Sequence, residues 1–223
     1  IYSIQAIGGD LYVGGSFTDL GGDPNINYVA KWDGAAWSAV GASPNAWVYK
    51  MAVIGSDLYI AGAFTDLGGD PTADYVAKWN GSAWSGLGGG LNNYAYALEA
   101  VGTDLYVGGM FTNAGGDANA NLIARWDGSA WSPLGTGISG STVFSIAAYG
   151  ADVYVGGVFT SAGGAAGTQN IAKWNGSAWS ALGAGLNNRV DTIALNGSKV
   201  YVGGTFTDVN GDPDNNYLMQ WDG

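Results

Sequence analysis

The hydrophobic positions of the chain fall into short runs that glycine, aspartate and asparagine separate. Runs such as YSIQAIG (2–8), LYVGGSFT (11–18) and YVAKW (28–32) are rich in the β-branched and aromatic residues that favour strands. The residues between the runs favour turns, because Gly, Asn and Asp tolerate backbone conformations that other residues avoid. No segment has a helical hydrophobic period of useful length. The pattern therefore predicts an all-β protein.

The same runs return at a nearly constant interval, which is typical of a repeat architecture. Phenylalanines that share one repeat position lie 47, 47, 48 and 47 residues apart, and tryptophans placed 15 residues after them keep the same intervals. These residues are Phe17, Phe64, Phe111, Phe159, Phe206, Trp32, Trp79, Trp126, Trp174 and Trp221. The single extra residue falls in the stretch GTGISGSTVF (135–144). The chain therefore consists of five copies of one unit, with one loop of variable length.

Each copy is predicted to contain four strands, of which the first two are joined by a tight turn such as GGD or GTD. First strands are predicted at residues 2–8, 49–55, 96–102, 144–150 and 191–197. The third and fourth strands flank an Asp-Gly or Asn-Gly pair, a strong hairpin signal because both residues accept positive φ. A second tryptophan follows this turn at Trp37, Trp84, Trp131 and Trp179, but the fifth copy ends before it. The two tryptophans of a copy are expected to pack across the hairpin.

A four-stranded unit of this size leaves both faces of its sheet bare, and stacking the copies around an axis covers them. We therefore predict a single five-bladed β-propeller domain over residues 1–223, with four-stranded antiparallel blades at about 1–41, 42–88, 89–135, 136–183 and 184–223. The last blade lacks its outermost strand, so the strand between Tyr217 and Trp221 is expected to be an exposed edge open to strand addition. A β-solenoid that does not close is the structural alternative.

The glycine pair after the apolar part of the second strand, together with the later tryptophan, resembles the blades of kelch-type propellers. Examples are Gly14 and Gly15 with Trp37, and the equivalent residues of the third copy. The longer pattern LYVGG-FT … IAKWDG-WS-LG-G resembles repeats of bacterial surface proteins and of fungal cortical polarity proteins related to the central domain of galactose oxidase. The resemblance implies a propeller over the whole chain and an extracellular or cell-surface location. The third strands lack the charged and tyrosine positions of kelch repeats, so kelch-type partner binding is not implied.

Composition argues against several classes of function. The net charge is −11 at pH 7 and the seven basic residues are spread singly, which argues against binding to nucleic acid or to anionic membranes. The chain has no cysteine, which excludes disulfides, and no histidine, the commonest transition-metal ligand. The copper site of galactose oxidase needs both residue types and is therefore excluded as well. No apolar run approaches the roughly 18 residues of a membrane helix. We expect no cofactor, no membrane insertion and a monomer, with association only through the edge strand at residues 217–221.

Loops that follow the second and fourth strands meet on one face of a propeller, and that face is the usual binding surface of the fold. Exposed aromatic rings and amides suit sugars, because rings stack on apolar sugar faces while amides bond hydroxyl groups. The residues that this hypothesis selects are Tyr2, Trp47, Tyr49, Asn92, Asn93, Tyr96, Asn187 and Asn188. The alternative is that the asparagines stabilise turns and that the aromatic rings pack at the blade tops.

Pairs of aspartates recur in the loop after the second strand. Oxygen-rich loops that contain glycine suit Ca²⁺, which takes about six to eight oxygen ligands. The calcium candidates are Asp19, Asp23, Asp66, Asp70, Asp208 and Asp212. The fourth copy has Ser161 and Ala165 at these positions, and aspartates that bond their own turn amides explain the pattern as well. No metal site is therefore predicted.

Catalysis would need a site that breaks the repeat. Lys50, Glu99 and Asp191 depart from the other first strands, but no carboxylate pair and no nucleophile with an adjacent base is visible. We therefore expect a non-catalytic binding or structural module that binds carbohydrate through near-equivalent sites on the loop face. The alternative is a protein-interaction scaffold, amplified or engineered from related blades, that takes no small-molecule ligand.

Overall fold

The computed structural model describes residues 1–207, 209 and 216–222. These residues form five antiparallel sheets, in each of which the strands follow one another in chain order. The innermost strands are β1 (Ser3–Ile7), β5 (Val48–Ile54), β9 (Ala95–Val101), β13 (Ile138–Tyr149) and β17 (Val190–Asn196). The second strands are β2 (Asp10–Gly14), β6 (Asp57–Gly62), β10 (Asp104–Gly109), β14 (Asp152–Ala162) and β18 (Lys199–Gly204).

Outside these lie the third strands and, in four sheets, a short fourth strand. The third strands are β3 (Val29–Trp32), β7 (Val76–Trp79), β11 (Ile123–Trp126), β15 (Ile171–Trp174) and β19 (Leu218–Trp221). The outermost strands are β4 (Trp37–Ala39), β8 (Trp84–Ser85), β12 (Trp131–Pro133) and β16 (Trp179–Ser180). The fold is the five-bladed propeller that the repeat predicts, with a last blade that lacks its outermost strand.

The helical elements whose bounds are described are two single turns, at Leu20–Gly22 and Leu67–Gly69. None of the helices described is long and apolar enough to cross a membrane.

The third and fourth strands form the hairpin that the Asp-Gly and Asn-Gly pairs predict. The two tryptophans of a hairpin lie directly opposite each other, as in Trp126 and Trp131, whose ring centroids are 5.3 Å apart. The Oδ1 atom of Asp127 stabilises the turn because it accepts hydrogen bonds from the backbone amides of Ser129 and Ala130, both at 2.8 Å. The predicted packing of tryptophans across the hairpin is confirmed.

A residue in the left-handed backbone region precedes every third strand. These residues are Tyr28, Tyr75, Leu122, Asn170 and Tyr217, with φ between 60° and 66°. In blade three, Leu122 donates its amide hydrogen to Phe111 O at 2.9 Å and accepts a bond from Gly109 N at 3.0 Å. The third strands therefore begin one residue later than predicted, at Val29 instead of Tyr28 and at Leu218 instead of Tyr217, because a residue with positive φ interrupts the extended backbone.

The second glycine of each pair permits a close approach between the two inner strands. A Cβ atom at Gly109 would overlap the carbonyl oxygen of Tyr94, and one at Gly157 would overlap that of Thr142. A β-bulge accompanies this approach in blade three, where the register shifts between Gly108 and Gly109. A side chain at these positions would force the innermost strand away.

Blade four absorbs the extra residue of the repeat in its inner hairpin. Strands β13 and β14 extend to 12 and 11 residues, and their pairing shifts register near Gly140 and again after Val143. Gly140 has φ 159°, which is nearly extended backbone. The insertion thus lengthens and bends a hairpin without changing the order of the strands.

The hydrophobic core lies between blades, in four junctions, because each middle blade packs both of its sheet faces against its neighbours. At the first junction, Tyr12 and Val29 of blade one pack with Val48 and Met51 of blade two. Tryptophans also bond across the junctions: Trp131 Nε1 donates to Leu87 O at 2.7 Å, and Trp84 and Trp179 make the equivalent bonds. Blades one to five are therefore joined in sequence.

Among the described residues, blade five does not pack against blade one as the other neighbours do. The innermost strand of each later blade lies beside the innermost strand of the preceding blade, but β1 and β17 share no such packing. Blade one consequently has a small core of its own, made of Val13, Ile26 and Ala30.

Candidate functional site

Four aromatic residues form a continuous row at the start of the innermost strands. We call Tyr2, Tyr49, Tyr96 and Phe144 the aromatic ladder. Its ring centroids are separated by 6.1, 5.0 and 5.5 Å in that order. The row ends at blade five, where the Arg189 guanidinium carbon lies 5.7 Å from the centre of the Phe144 ring. The ladder therefore crosses blades one to four as one aromatic surface, and a cation of blade five lies at its end.

Two further aromatic side chains widen the ladder on its outer side. Trp47 packs edge-on against Tyr49 at 6.2 Å, and Tyr94 packs edge-on against Tyr96 at 6.4 Å. Tyr2, Trp47 and Tyr94 are 53%, 49% and 40% exposed, so ring faces remain open to solvent. Burial raises the pKa of Tyr49 and of Tyr96, and neighbouring tyrosines add to the effect. Both hydroxyls are therefore protonated at neutral pH, and that of Tyr96 donates to Met110 Sδ at 3.4 Å.

The candidate asparagines stabilise the loops beside the ladder. Asn92 donates to Thr112 Oγ1 at 2.8 Å and accepts from Thr112 N at 2.9 Å, and Asn187 makes the equivalent pair of bonds with Thr207. Asn93 and Asn188 each accept a bond from the backbone amide of the following residue, at 2.8 Å. The structure thus joins Tyr2, Trp47, Tyr49 and Tyr96 in one surface and uses the four asparagines within the loops.

A cavity of about 410 Å³ opens between blades four and five, next to Asn187. Its walls combine Val158 and Leu186 with polar groups such as Thr160 and Gln169. Asn170, also in the wall, directs its amide nitrogen to Leu186 O at 2.8 Å and accepts from Phe159 N at 3.0 Å. The lengthened hairpin of blade four contributes Gly140, Ser141 and Val158 to the lining of this cavity.

Where the structure describes the calcium candidates, these aspartates stabilise or shape the loop backbone. Asp70 accepts bonds from Thr72 N and Thr72 Oγ1 at 2.8 and 2.7 Å and from Gly86 N at 2.9 Å, and Asp23 accepts bonds from Asn25. Asp19 and Asp66 adopt left-handed backbone conformations before short helical turns. Asp208 and Asp212 lie outside the described residues. Within the described ranges, no three acidic side chains are grouped in a way that could hold a metal ion.

The first-strand residues that break the repeat lie in different environments, since Lys50 and Asp191 are exposed and Glu99 is not. Glu99 is half-buried, and burial raises its pKa, although the Ala148 amide and the charge of Lys50 oppose the shift. Asp191 is exposed and pairs with Arg189 at 2.7 Å. Glu99 therefore sits in a blade junction, and Asp191 orients the cation at the end of the ladder.

Sequence reasoning missed three members of the aromatic surface: Phe144, Tyr94 and Arg189. Phe144 occupies the repeat position of Tyr49 and Tyr96, so alignment of the five copies could have identified it. Tyr94 and Arg189 occupy the repeat position of Trp47, directly before the innermost strand, so the same alignment could have identified them as well.

No family model and no curated protein matches the chain. Among solved structures, 163 chains match, which indicates a widely used fold. One of them is the crystal structure of the computationally designed Ika8 protein, with a TM-score of 0.59 and 14% identity over 99% of this chain. The present chain spans 61% of the length of that protein. The likeness concerns the fold: the chain is an all-β propeller of repeated blades, similar in architecture to a designed protein.

Proposed function

We propose that the chain is a non-catalytic repeat scaffold that acts through its blade surfaces and takes no small-molecule ligand. The observation that supports this function best is that the side-chain amides of the loop asparagines are hydrogen-bonded within the protein. Asn92 and Asn187 fall at the same repeat position and hold the same threonine in the next loop. Groups engaged in this way are not free to bond a ligand without opening the loop. The resemblance of the fold to a designed protein also supports an engineered or amplified scaffold.

The experiment combines thermal unfolding with a glycan-array screen of the intact protein. Asn92→Ala removes the bonds to Thr112 and is expected to lower the free energy of unfolding by about 1–2 kcal/mol. The control is Asn196→Ala, because the Asn196 side chain makes no hydrogen bond among the described residues, and this variant should unfold like the parent. The array is expected to show no binding. Unchanged stability of Asn92→Ala, together with a glycan bound only by the parent, would contradict the scaffold function.

The second candidate function is carbohydrate binding at the aromatic ladder. It is favoured by the half-exposed rings of Tyr2 and Trp47, since exposed aromatic faces with nearby hydroxyl donors suit stacking on sugars. If the parent binds a glycan on the array and Trp47→Ala abolishes this binding, the result would support carbohydrate binding over the scaffold function. A hit that survives this substitution would direct attention to the cavity beside Asn187.

A further inference from the structure

Each blade junction brings together two faces with a constant design. The first, the socket face, belongs to the preceding blade and contains a tyrosine and a small residue of the second strand and a β-branched residue of the third. The second, the knob face, belongs to the following blade and contains two apolar residues of the innermost strand. At the first junction the socket face is Tyr12, Gly14 and Val29, and the knob face is Val48 and Met51.

The small residue of the socket face makes room for the knobs. A Cβ atom at Gly14 would lie 2.7 Å from Val48 Cγ1, and one at Gly156 would overlap Val190 in the same way. The residue directly across the sheet from this small residue, which is a glycine in three junctions and Ala61 in the second, shares its face. These partners, Val29, Val76, Ile123 and Ile171, are all 0% exposed. Four junctions therefore repeat one complementary fit.

Blade one presents a knob face whose two apolar side chains are exposed, with no other blade of the described chain packed on it. Ile4 is 56% exposed, whereas the equivalent Met51, Leu98, Ile146 and Ile193 are between 1% and 7% exposed. Ile1 is 59% exposed, and its equivalent Val48 is 0% exposed. Two large apolar side chains that the fold buries in every other blade thus face solvent together.

Blade five presents a socket face into which no knob residue of the described chain packs. Leu218 lies opposite Gly203 and is 66% exposed, in contrast to its four fully buried counterparts. A Cβ atom at Gly203 would meet only Thr192 and Tyr217 of the same blade, with no knob above it. Tyr201, the third member of the face, is half-buried while Tyr154 of the preceding blade is buried.

We propose that the open socket face of blade five binds the open knob face of blade one in a second copy of this chain, so that copies associate head to tail. The occupant is identified by continuity with the four existing junctions, since each face already has its matching surface elsewhere in the same chain. A hydrogen bond that existing junctions make between innermost strands can also form at the proposed interface. Ser3 and Ser145 accept bonds from the amides of Met51 and Ile193 in the next blade, at 3.0 and 2.9 Å. Thr192 keeps a hydroxyl at this repeat position for the Ile4 amide of the second copy.

An interface of this kind joins two different surfaces, so each copy retains one free surface of each type. Growth then continues until the copies close into a ring or form an open chain. Because every copy carries a net charge of −11, repulsion opposes docking and salt should strengthen it. The docking uses the sheet faces, in contrast to strand addition at the edge of β19.

The test is sedimentation velocity of the 223-residue chain over a wide range of concentrations, with one blocked variant for each face. Ile4→Asp blocks the knob face and Leu218→Asp blocks the socket face, and both side chains are exposed in the single copy, so folding is preserved. Each variant alone is expected to be monomeric, with a dissociation constant raised at least ~100-fold. The control is Tyr149→Asp, because Tyr149 is 52% exposed on a middle blade and belongs to neither open face.

Mixing the two blocked variants distinguishes head-to-tail docking from other modes. Ile4→Asp retains its socket face and Leu218→Asp retains its knob face, so the mixture should form a dimer and nothing larger. Assembly that Ile4→Asp leaves intact would indicate pairing of edge strands and would overturn the proposal. A parent chain that stays monomeric at every concentration and salt level would also overturn it. Since neither substitution touches the ladder or the loop asparagines, these results are independent of the glycan screen.

Discussion

Glu99 is the only glutamate of the chain, and it occupies a repeat position where Ala52, Ala147 and Ala194 stand in other blades. Burial is the main cause that raises its pKa, so the folded state disfavours the charged form. A carboxyl group whose pKa is raised by folding stabilises the protein below its unfolded pKa, and this contribution is lost as the pH rises through the folded pKa. Glu99 therefore destabilises the junction at neutral pH.

Glu99→Gln is expected to raise the melting temperature at neutral pH, because the amide keeps an acceptor for Ala148 without the buried charge. The gain should shrink to nothing below about pH 4, where the parent carboxyl is protonated. Differential scanning calorimetry at several pH values measures this. Asp191→Asn, at an exposed ion pair, serves as control and should change little. A gain that is the same at all pH values would rule out the electrostatic cause.

At the scale of the element, the outermost hairpins carry the polar connections between blades. Trp131→Phe keeps an aromatic ring beside Trp126 but removes the bond from Nε1 to Leu87 O. We expect a loss of about 1 kcal/mol in the free energy of unfolding, measured by chemical denaturation. Trp37→Phe is the matched control, because Trp37 Nε1 has no hydrogen-bond partner among the described residues. Equal losses in both variants would mean that ring size, rather than the bond between blades, determines the stability.

The strands and loops also show which features of the fold the sequence predicts and which it does not. The phenylalanine and tryptophan intervals predict the number of blades, the order of strands and the short last blade. They do not predict the left-handed residue before each third strand, because Tyr28 and Leu122 are poor candidates for positive φ and adopt it only through two bonds to the second strand and its loop. The aromatic ladder was found in part: Tyr2, Trp47, Tyr49 and Tyr96 were selected as binding residues, but their mutual contacts depend on how neighbouring blades are rotated.

At the scale of the whole molecule, acid is expected to weaken the fold through its hairpin turns. Backbone amides of Ala130 and Ala36 are the main cause that lowers the pKa of Asp127 and of Asp33, respectively. A depressed folded pKa gives stability that is present above the unfolded pKa and is lost as the pH falls through the folded pKa. Asn80 makes the equivalent bonds without titrating.

The double variant Asp33→Asn with Asp127→Asn should therefore lose less stability than the parent on acidification, while both unfold at similar temperatures near neutral pH. Melting temperatures followed from neutral pH to below about pH 4 test this. If the two proteins lose stability in parallel, the turns are not the source of acid sensitivity, and the reason must lie with the other carboxylates.

Because the apolar core lies between blades, the molecule behaves as a linear array in which each unit is coupled only to its neighbours. A middle blade gains free energy from two couplings, while a terminal blade gains it from one. Fluctuations that open the array therefore start at its two ends and proceed inward, so amide hydrogens exchange more slowly in the centre than at the periphery. Unfolding is therefore cooperative because adjacent blades stabilise each other, and a single blade has no melting transition of its own.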